Sequence, residues 1–211
     1  MRLLRLFKKC TNCKYNHVEN SGDYYTERYG STLYIYLECS DGLLDWINNF
    51  KFAVKSVVSA KTPYKNMEKK WRAHGGFLKV WQSIKPYIEN DIKDETVRRI
   101  VTVGYSHGAA LAVLCHEYIW YNRPDIRNSI EGYGFGCPRV FWGVKTKKLR
   151  QRWERFTVIR NINDVVTHVP PILFGFSHVG TIIKIGSNGK YSAVDAHRPE
   201  NIVAELKQYG K

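Results

Sequence analysis

The residues best placed to do chemistry form the stretch Gly104-Tyr-Ser-His-Gly108, which fits a G-x-S-x-G pattern. It follows β-branched residues over 100–103, which predict a short buried strand. Small apolar residues over 109–114 come next and suit a buried helix. A sharp turn from strand to helix strains its middle residue, and the flanking glycines give room for that turn. The pattern predicts that Ser106 is a nucleophile held out at the end of a strand; the alternative is a glycine-rich structural turn.

A serine nucleophile needs a base that takes its proton and a carboxylate that orients the base. Asp164 follows a predicted strand over 156–160, at a place where the carboxyl ends of strands gather. The histidines that come after it are His168, His178 and His197. Because His168 is too near Asp164 along the chain to reach over the serine, the residues alone leave His178 and His197 open as the base.

The elements that must position these side chains alternate between strand and helix. The pattern predicts strands at 32–37, 52–58, 100–103, 130–136, 156–160 and 179–185, the last pairing with residues around Tyr191, and helices at 43–50, 77–92, 109–121, 145–152 and 199–209. Such alternation indicates the α/β class with a largely parallel sheet. No repeat or linker divides the chain, so we expect one domain over residues 1–211. Residues 1–30 are polar, basic and tyrosine-rich, and we interpret them as an N-terminal cover of short elements.

The sequence is strongly basic. Lysine and arginine number 33 against 19 aspartates and glutamates, a formal net charge of +14. Two segments, 61–72 and 139–155, hold much of the excess. A basic surface favours anionic partners. We expect a peripheral contact with an anionic membrane rather than with nucleic acid; the alternative is a solvated face that only keeps the protein soluble.

Neither a membrane span nor a metal site is expected from the sequence. No run approaches the roughly 20 apolar residues of a membrane-spanning helix, and the apolar part of residues 1–7 is too short for a secretory signal. Five cysteines, an odd number, favour reduced thiols. We therefore expect a location in the cytoplasm or inside a host cell.

Cys10-x-x-Cys13 has no second pair at zinc spacing, which argues against a metal site.

Several further motifs follow one another along the chain. They are Asp45-Trp46 after a strand and a polar turn, His74-Gly-Gly-Phe77, the stretch over 104–112, Tyr133-Gly-Phe-Gly-Cys-Pro-Arg-Val140, and Asn161-Ile-Asn-Asp-Val-Val-Thr-His-Val-Pro170. From about residue 33 to 200 this series resembles the class 3 lipase family. The resemblance implies an α/β-hydrolase fold, with a mostly parallel central sheet and helices on both faces, and ester hydrolysis without a metal or an organic cofactor.

The resemblance also assigns roles to individual residues. It implies that Ser106 is the nucleophile and Asp164 the triad acid, that His197 is the base, and that His178 has a structural role. The two donors of the oxyanion hole would be the backbone N–H of His107 and Ser40.

The helix after the first turn corresponds to the lid of the fungal relatives. The candidate lid covers residues 41–50, and its apolar side chains would contact an acyl chain; they are Leu43, Leu44, Trp46 and Ile47. The alternative is an ordinary amphipathic helix packed on the sheet. Just before it, Glu38-Cys39 replaces the family's usual Arg-Gly.

Two functions follow from these observations. The first is a serine ester hydrolase, similar to a lipase, phospholipase or esterase, that acts on lipid or other acyl esters through an acyl-enzyme on Ser106. The alternative is a non-catalytic binding protein of the same fold that docks to an anionic membrane or nucleic acid, and the altered turn at Glu38 favours it. A fluorophosphonate probe distinguishes the two, because labelling requires an activated serine.

Overall fold

The computed structural model of the chain describes residues 2–18, 22–38, 72–143 and 147–209. Several predicted features lie outside these ranges: the oxyanion-hole residue Ser40, the candidate lid over 41–50 with Leu43, Leu44, Trp46 and Ile47, the strand over 52–58, and the basic residues over 61–71. The other predicted site residues, Ser106, His107, Asp164 and His197, lie inside them.

The strands of the described ranges are mostly short, and those that the sequence predicts end near the predicted bounds. They are β1 (Asn16–Val18), β2 (Gly22–Tyr29), β3 (Thr32–Glu38), β4 (Arg72–Ala73), β5 (Arg99–Tyr105), β6 (Ile130–Phe135), β7 (Phe141–Trp142), β8 (Phe156–Asn161), β9 (Phe176–Ser177) and β10 (Thr181–Ile185). The helices are α1 (Arg2–Asn12), α2 (Gly75–Lys93), α3 (His107–Asn122), α4 (Lys147–Arg150) and α5 (Pro199–Tyr209).

The central sheet is mostly parallel, as predicted. Within the described ranges its order is β1-β2-β3-β5-β6-β8-β10. From β3 to β10 each neighbouring pair is parallel, whereas β1 and β2 form an antiparallel edge. The short strands β4, β7 and β9 form a separate antiparallel sheet. Because the carboxyl ends of parallel strands share one edge, the residues that follow β5 and β8 meet there, and these include Ser106 and Asp164.

Helices cover both faces of the central sheet. α2 and α3 pack on each other and on one face, where residues such as Trp81 and Ile84 are fully buried. α1 and α5 pack on the opposite face. Strand β5 serves both cores, since Ile100 faces α2 and α3 while Val101 and Val103 face α1 and α5. None of the described helices combines the length with the apolar character that a membrane span requires.

The N-terminal residues form more regular structure than their composition suggests. β2 is eight residues long and pairs with β3 from Asp23 to Tyr29, although most of its side chains are polar or tyrosine. α1 buries Leu6, Phe7 and Cys10 against the sheet. The ring centroid of Phe7 lies 4.8 Å from that of Phe135 and 5.5 Å from that of Tyr105. These N-terminal elements therefore close one face of the sheet next to the end of β5.

Two other expectations differ from the structure in detail. Strand β10 pairs in parallel with β8, and the residues around Tyr191 form turns instead of the expected partner strand. In the described part of the predicted basic helix over 145–152, the structure has the short helix α4 followed by a 3₁₀ turn, Gln151–Trp153. Neither difference moves the strand ends that carry Ser106 and Asp164.

Phe7 provides the test of α1 as part of the core. Because its side chain is fully buried, Phe7→Ala should lower the free energy of unfolding by about 3–5 kcal/mol. Urea denaturation followed by circular dichroism measures the change. Lys8→Ala, at an exposed position of the same helix, is the matched control and should change stability by less than about 0.5 kcal/mol. An equally small change in Phe7→Ala would contradict the packing of α1 on the sheet.

Candidate active site

Ser106 occupies a sharp turn between a strand and a helix. β5 ends at Tyr105 and α3 begins at His107, so Ser106 is the residue between them. Its φ of 56° and ψ of −123° make it the one non-glycine residue with positive φ in the described part of the chain. Such backbone strain costs on the order of 1–3 kcal/mol. It is held by hydrogen bonds from Ser106 N to the carbonyl oxygen of Phe135, 2.9 Å, and from Ala109 N to that of Ser106, 3.0 Å.

The two glycines of the pattern are required by close backbone contacts. A Cβ on Gly104 would lie 2.1 Å from the carbonyl oxygen of Gly108. One on Gly108 would lie 2.0 Å from the carbonyl oxygen of Leu37. The first turn of α3 therefore rests directly on the ends of β3 and β5. This explains the G-x-S-x-G spacing by the packing of backbone on backbone.

Asp164 and His197 form a buried pair near this turn. Both side chains are fully buried, and Oδ2 of Asp164 lies 2.8 Å from Nδ1 of His197. The other carboxylate oxygen accepts a hydrogen bond of 2.9 Å from the backbone N–H of Val166. The short 3₁₀ turn that carries His197 is tied to the end of β8, because Asn161 Nδ2 donates to the carbonyl oxygen of Ala196 at 2.8 Å. The carboxylate therefore has its orientation fixed on one side and faces the imidazole on the other.

Gly136 links this pair to the serine turn. A Cβ on Gly136 would lie 2.6 Å from Cε1 of His197 and 3.0 Å from Oδ2 of Asp164. The residue before it, Phe135, accepts the hydrogen bond from Ser106 N. The chain at the end of β6 is thus in contact with Ser106 on one side and with the pair on the other. Nε2 of His197 is buried and has no hydrogen-bond partner within the described structure. A proton transfer between Ser106 Oγ and this nitrogen stays a prediction.

His178, the alternative base, is engaged elsewhere. Its Nε2 lies 2.7 Å from the carbonyl oxygen of Thr167. Since a carbonyl oxygen can only accept, this nitrogen must carry a hydrogen and cannot take a proton from a serine. Asp195, two residues before His197, is likewise occupied, because its carboxylate accepts from Ser192 Oγ at 2.6 Å and pairs with Arg198 at 3.0 Å.

Two further histidines lie beside the serine turn. His107 begins α3, and its ring centroid lies 5.0 Å from that of Phe77. His74 caps α2 through a hydrogen bond from Phe77 N to its Nδ1. Burial lowers the pKa of the His74 imidazole to about 4, and burial together with a smaller contribution from His74 lowers that of the His107 imidazole to about 4. Both side chains are therefore neutral at pH 7. The backbone N–H of His107 lies at the positive end of a 16-residue helix, which suits a developing anion.

Tyr105 is a site residue that the sequence reasoning missed. Its hydroxyl donates to the backbone carbonyl oxygen of His197 at 2.6 Å, and its ring stacks on the imidazole with centroids 5.0 Å apart. Burial, and the nearby Asp164 carboxylate, raise the pKa of this phenol, so it stays protonated and donates. Strand alternation was a signal for its orientation, because Tyr105 shares a face of β5 with the apolar residues Val101 and Val103. It thereby joins His197 to Phe7 on α1.

Among the described residues, no group of three or more histidine, cysteine or acidic side chains could hold a metal ion. Cys10 lies 3.5 Å from the hydroxyl of Tyr15, and burial raises the pKa of its thiol to about 12. The thiol is therefore protonated at pH 7.

Comparison with known proteins gives a consistent family assignment. The model of the family described as lipase (class 3) matches residues 34–174. The chain is 25% identical over 138 residues to a lipase of Rhizopus niveus, a match that covers 63% of this chain and 35% of that protein. It is 27% identical over 139 residues to the secreted mono- and diacylglycerol lipase 1 of Fusarium solani, covering 64% of this chain and 38% of that one.

Solved structures share the fold. Lipase II from Rhizopus niveus superposes with a TM-score of 0.66 at 23% identity, over 82% of this chain and 66% of that chain. A propeptide complex of the Rhizomucor miehei lipase superposes with a TM-score of 0.65 at 20% identity, over 92% and 66%. These likenesses show the α/β-hydrolase fold. The match spans 35% to 40% of the length of the curated relatives.

The choice of base can be tested by three substitutions. Ser106→Ala and His197→Ala should each lower kcat for p-nitrophenyl butyrate by roughly 10⁴-fold or more, because the two residues act as one unit. His178→Ala should leave kcat within about tenfold and lower the free energy of unfolding by about 1–3 kcal/mol, since it leaves a carbonyl oxygen without its donor. Loss of activity in His178→Ala together with retention in His197→Ala would reverse the assignment.

Proposed function

The chain belongs to the class 3 lipase family, and on that basis we propose that it is a serine ester hydrolase that cleaves carboxylic esters through an acyl-enzyme on Ser106. We take residues 1–211 as a single hydrolase domain. The observation that carries the proposal is the buried Asp164–His197 pair in contact with the chain that holds the strained serine turn.

The chemistry follows from the direction of one hydrogen bond. With Asp164 as the acceptor, Nδ1 of His197 carries the hydrogen and the lone pair remains on Nε2. Nε2 takes the proton of Ser106 Oγ as that oxygen attacks the ester carbonyl. Asp164 stabilises the resulting imidazolium, which then protonates the leaving alcohol. Water attacks the acyl-enzyme with His197 again as the base, and the free acid is released.

The negative charge of the tetrahedral intermediate needs donors on the opposite side of the carbonyl. We propose the backbone N–H of His107 as one donor and Ser40 as the other. No proton transfer to the side chain of His107 is needed, and its lowered pKa leaves the ring neutral. Removal of one such donor typically costs about 10²–10³ in kcat.

The alternative, a non-catalytic binding protein, rests on Glu38. Its backbone lies at the start of α3, with its Cα 2.9 Å from where a Cβ on Gly108 would be. A carboxylate there would oppose a developing negative charge. Burial, with a smaller contribution from Asp23, raises the pKa of the Glu38 carboxyl. The neutral form is therefore favoured relative to an ordinary glutamate, and the objection to catalysis is weakened.

We propose lipid esters as the substrates, since the relatives are named as lipases and as a mono- and diacylglycerol lipase. The net charge of +14 supports peripheral contact with an anionic membrane. A cytoplasmic or host-cell location is proposed from the cysteines, because Cys10, Cys13, Cys115 and Cys137 are all free thiols.

The proposed acyl-enzyme can be tested with methanol, a second nucleophile that competes with water for the acyl group. The p-nitrophenyl ester and the monoacylglycerol of the same fatty acid are hydrolysed in the presence of methanol, and the methyl ester and free acid are quantified. Because both substrates pass through one acyl-enzyme, the ratio of methyl ester to acid should be the same for the two.

Ser106→Ala supplies the blank for both substrates and should form neither product above the spontaneous background. A product ratio that depends on the leaving group would contradict a common acyl-enzyme. Absence of any hydrolysis by the folded wild-type protein across short and long acyl esters would favour the binding protein.

A further inference from the structure

The turn before β9 exposes an unusual run of large apolar side chains. It is the 3₁₀ turn Ile172–Phe174, whose residues are 65%, 97% and 40% exposed. Trp142 on β7 is 39% exposed. Exposed apolar side chains that occur singly are common, whereas a contiguous group marks an interaction surface.

These four residues form one surface, the apolar tip, defined as Trp142 with Ile172–Phe174. Gly175 directly follows the turn, and a Cβ on it would lie 2.5 Å from Nε1 of Trp142. Gly143 N donates to the carbonyl oxygen of Gly175 at 3.1 Å. In the same small sheet Trp142 is paired with Phe176. The indole and the turn are therefore neighbours.

The apolar tip is a built feature of the fold. Two hydrogen bonds close the turn, from Phe174 N to the carbonyl oxygen of Pro171 at 3.1 Å and from Gly175 N to that of Ile172 at 2.7 Å. The segment before the turn is anchored by Arg139, which is buried and donates to the carbonyl oxygen of Pro170 at 2.8 Å. Because the turn is already held in place, binding a partner there costs little further conformational entropy.

The chain segments that contain the apolar tip are basic, and an acidic residue just beyond them, Glu154, lines one pocket with Arg150. Neither of these segments, 136–153 and 165–185, has an aspartate or glutamate. The guanidinium of Arg72 lies over the ring of Trp142, 5.4 Å from its centroid. Lys147 and Arg150 are exposed on α4, which follows β7 in the chain. An apolar surface with a basic surround is complementary to a layer of anionic headgroups over hydrocarbon.

A series of ring contacts connects the segment that follows the apolar tip to the serine turn. Phe176 follows the apolar tip, with a ring centroid 6.1 Å from that of His74. His74 and His107 both pack on the ring of Phe77, at 4.5 Å and 5.0 Å. His107 is the residue after Ser106. A partner surface bound at the apolar tip would therefore lie near the end of the sheet that carries Ser106.

We infer that the apolar tip inserts into the surface of an anionic lipid bilayer, with Arg72, Lys147 and Arg150 at the phosphates. Tryptophan and phenylalanine suit this depth, because an apolar ring can sit at the boundary between headgroups and acyl chains. The inference rests on the proposed function only in taking lipid esters as substrates. Binding itself needs no hydrolysis, so it can be measured apart from catalysis.

Flotation with lipid vesicles tests the apolar tip. The full chain carrying Ser106→Ala, which leaves the lipid intact, is mixed with vesicles of phosphatidylcholine alone or with phosphatidylserine added, at low and high salt. Binding should require phosphatidylserine and weaken with salt. Adding Ile172→Ser and Leu173→Ser should lower the partition coefficient on the order of tenfold or more. Adding Arg72→Gln should lower it by about fivefold, the usual effect of one basic residue near an anionic surface.

Tyr29→Ser in the same background is the matched control. Tyr29 is 64% exposed and ends β2 next to the start of β3, so it lies at the opposite end of the parallel strands from Ser106. It should bind vesicles like its parent. Equal binding by the Ile172→Ser, Leu173→Ser variant would overturn the inference. So would sedimentation showing that the apolar tip joins two copies of the chain and that these substitutions only separate them.

The same two serine substitutions in the otherwise wild-type chain separate this inference from the proposed function. Hydrolysis of soluble p-nitrophenyl butyrate should be unchanged within about twofold, while hydrolysis of vesicle lipid should fall with the loss of binding. Normal hydrolysis of the soluble ester with no vesicle binding by the parent would overturn the docking surface and leave the hydrolase intact. Vesicle binding without hydrolysis of any ester would overturn the hydrolase and leave the docking surface intact.

Discussion

The site depends first on how closely α3 approaches the sheet. With glycine at 104 and 108, the first turn of the helix rests on the backbone ends of β3 and β5, where a single Cβ would come within 2.0–2.1 Å of a carbonyl oxygen. That approach leaves no room for a gradual connection, so the strand must turn into the helix at one residue. Ser106 takes the strained conformation, and the cost is met by the packing of the buried helix behind it. The serine side chain and the amino end of α3 are consequently directed to the same place.

The second constraint is the burial of an acidic group with a single imidazole. Asp164 is fully enclosed, yet each carboxylate oxygen has a donor: Val166 N for one and His197 Nδ1 for the other. A buried carboxylate without such donors would be expensive. The same bond orients the imidazole, leaving Nε2 as the nitrogen that can accept a proton. The hydrogen bond that makes the buried Asp164 carboxylate stable is therefore also the one that the proposed chemistry requires. Tyr105 further holds His197, because its hydroxyl binds the backbone of His197 and its ring stacks on the imidazole.

Much of the fold could be predicted from the sequence, because its elements follow simple periodicities. Strands β5 and β8 are apolar and β-branched, and α3 is apolar on all sides, so their order and the position of Ser106 could be read directly. β2 was not predicted because its tyrosines and charged residues are half-buried at an antiparallel edge. Its buried and exposed positions therefore show no clear alternation. α1 was not predicted because its arginines and lysines make the segment polar on average, although it buries Leu6, Phe7 and Cys10. Strand alternation indicates the face of β5 on which Tyr105 lies, but its contacts could not be predicted, since they depend on α1 and on the segment before α5 meeting at the end of β5.

The central claim is that Ser106 is activated by the His197–Asp164 pair. The most direct measurement is labelling with a fluorophosphonate, followed by mass spectrometry of the digested protein to locate the adduct. We expect a single adduct on the peptide that contains Ser106 in the wild-type chain, and a rate of labelling lowered by several powers of ten in folded His197→Ala. A wild-type protein that is folded and does not react, or one that reacts equally fast without His197, would contradict the account.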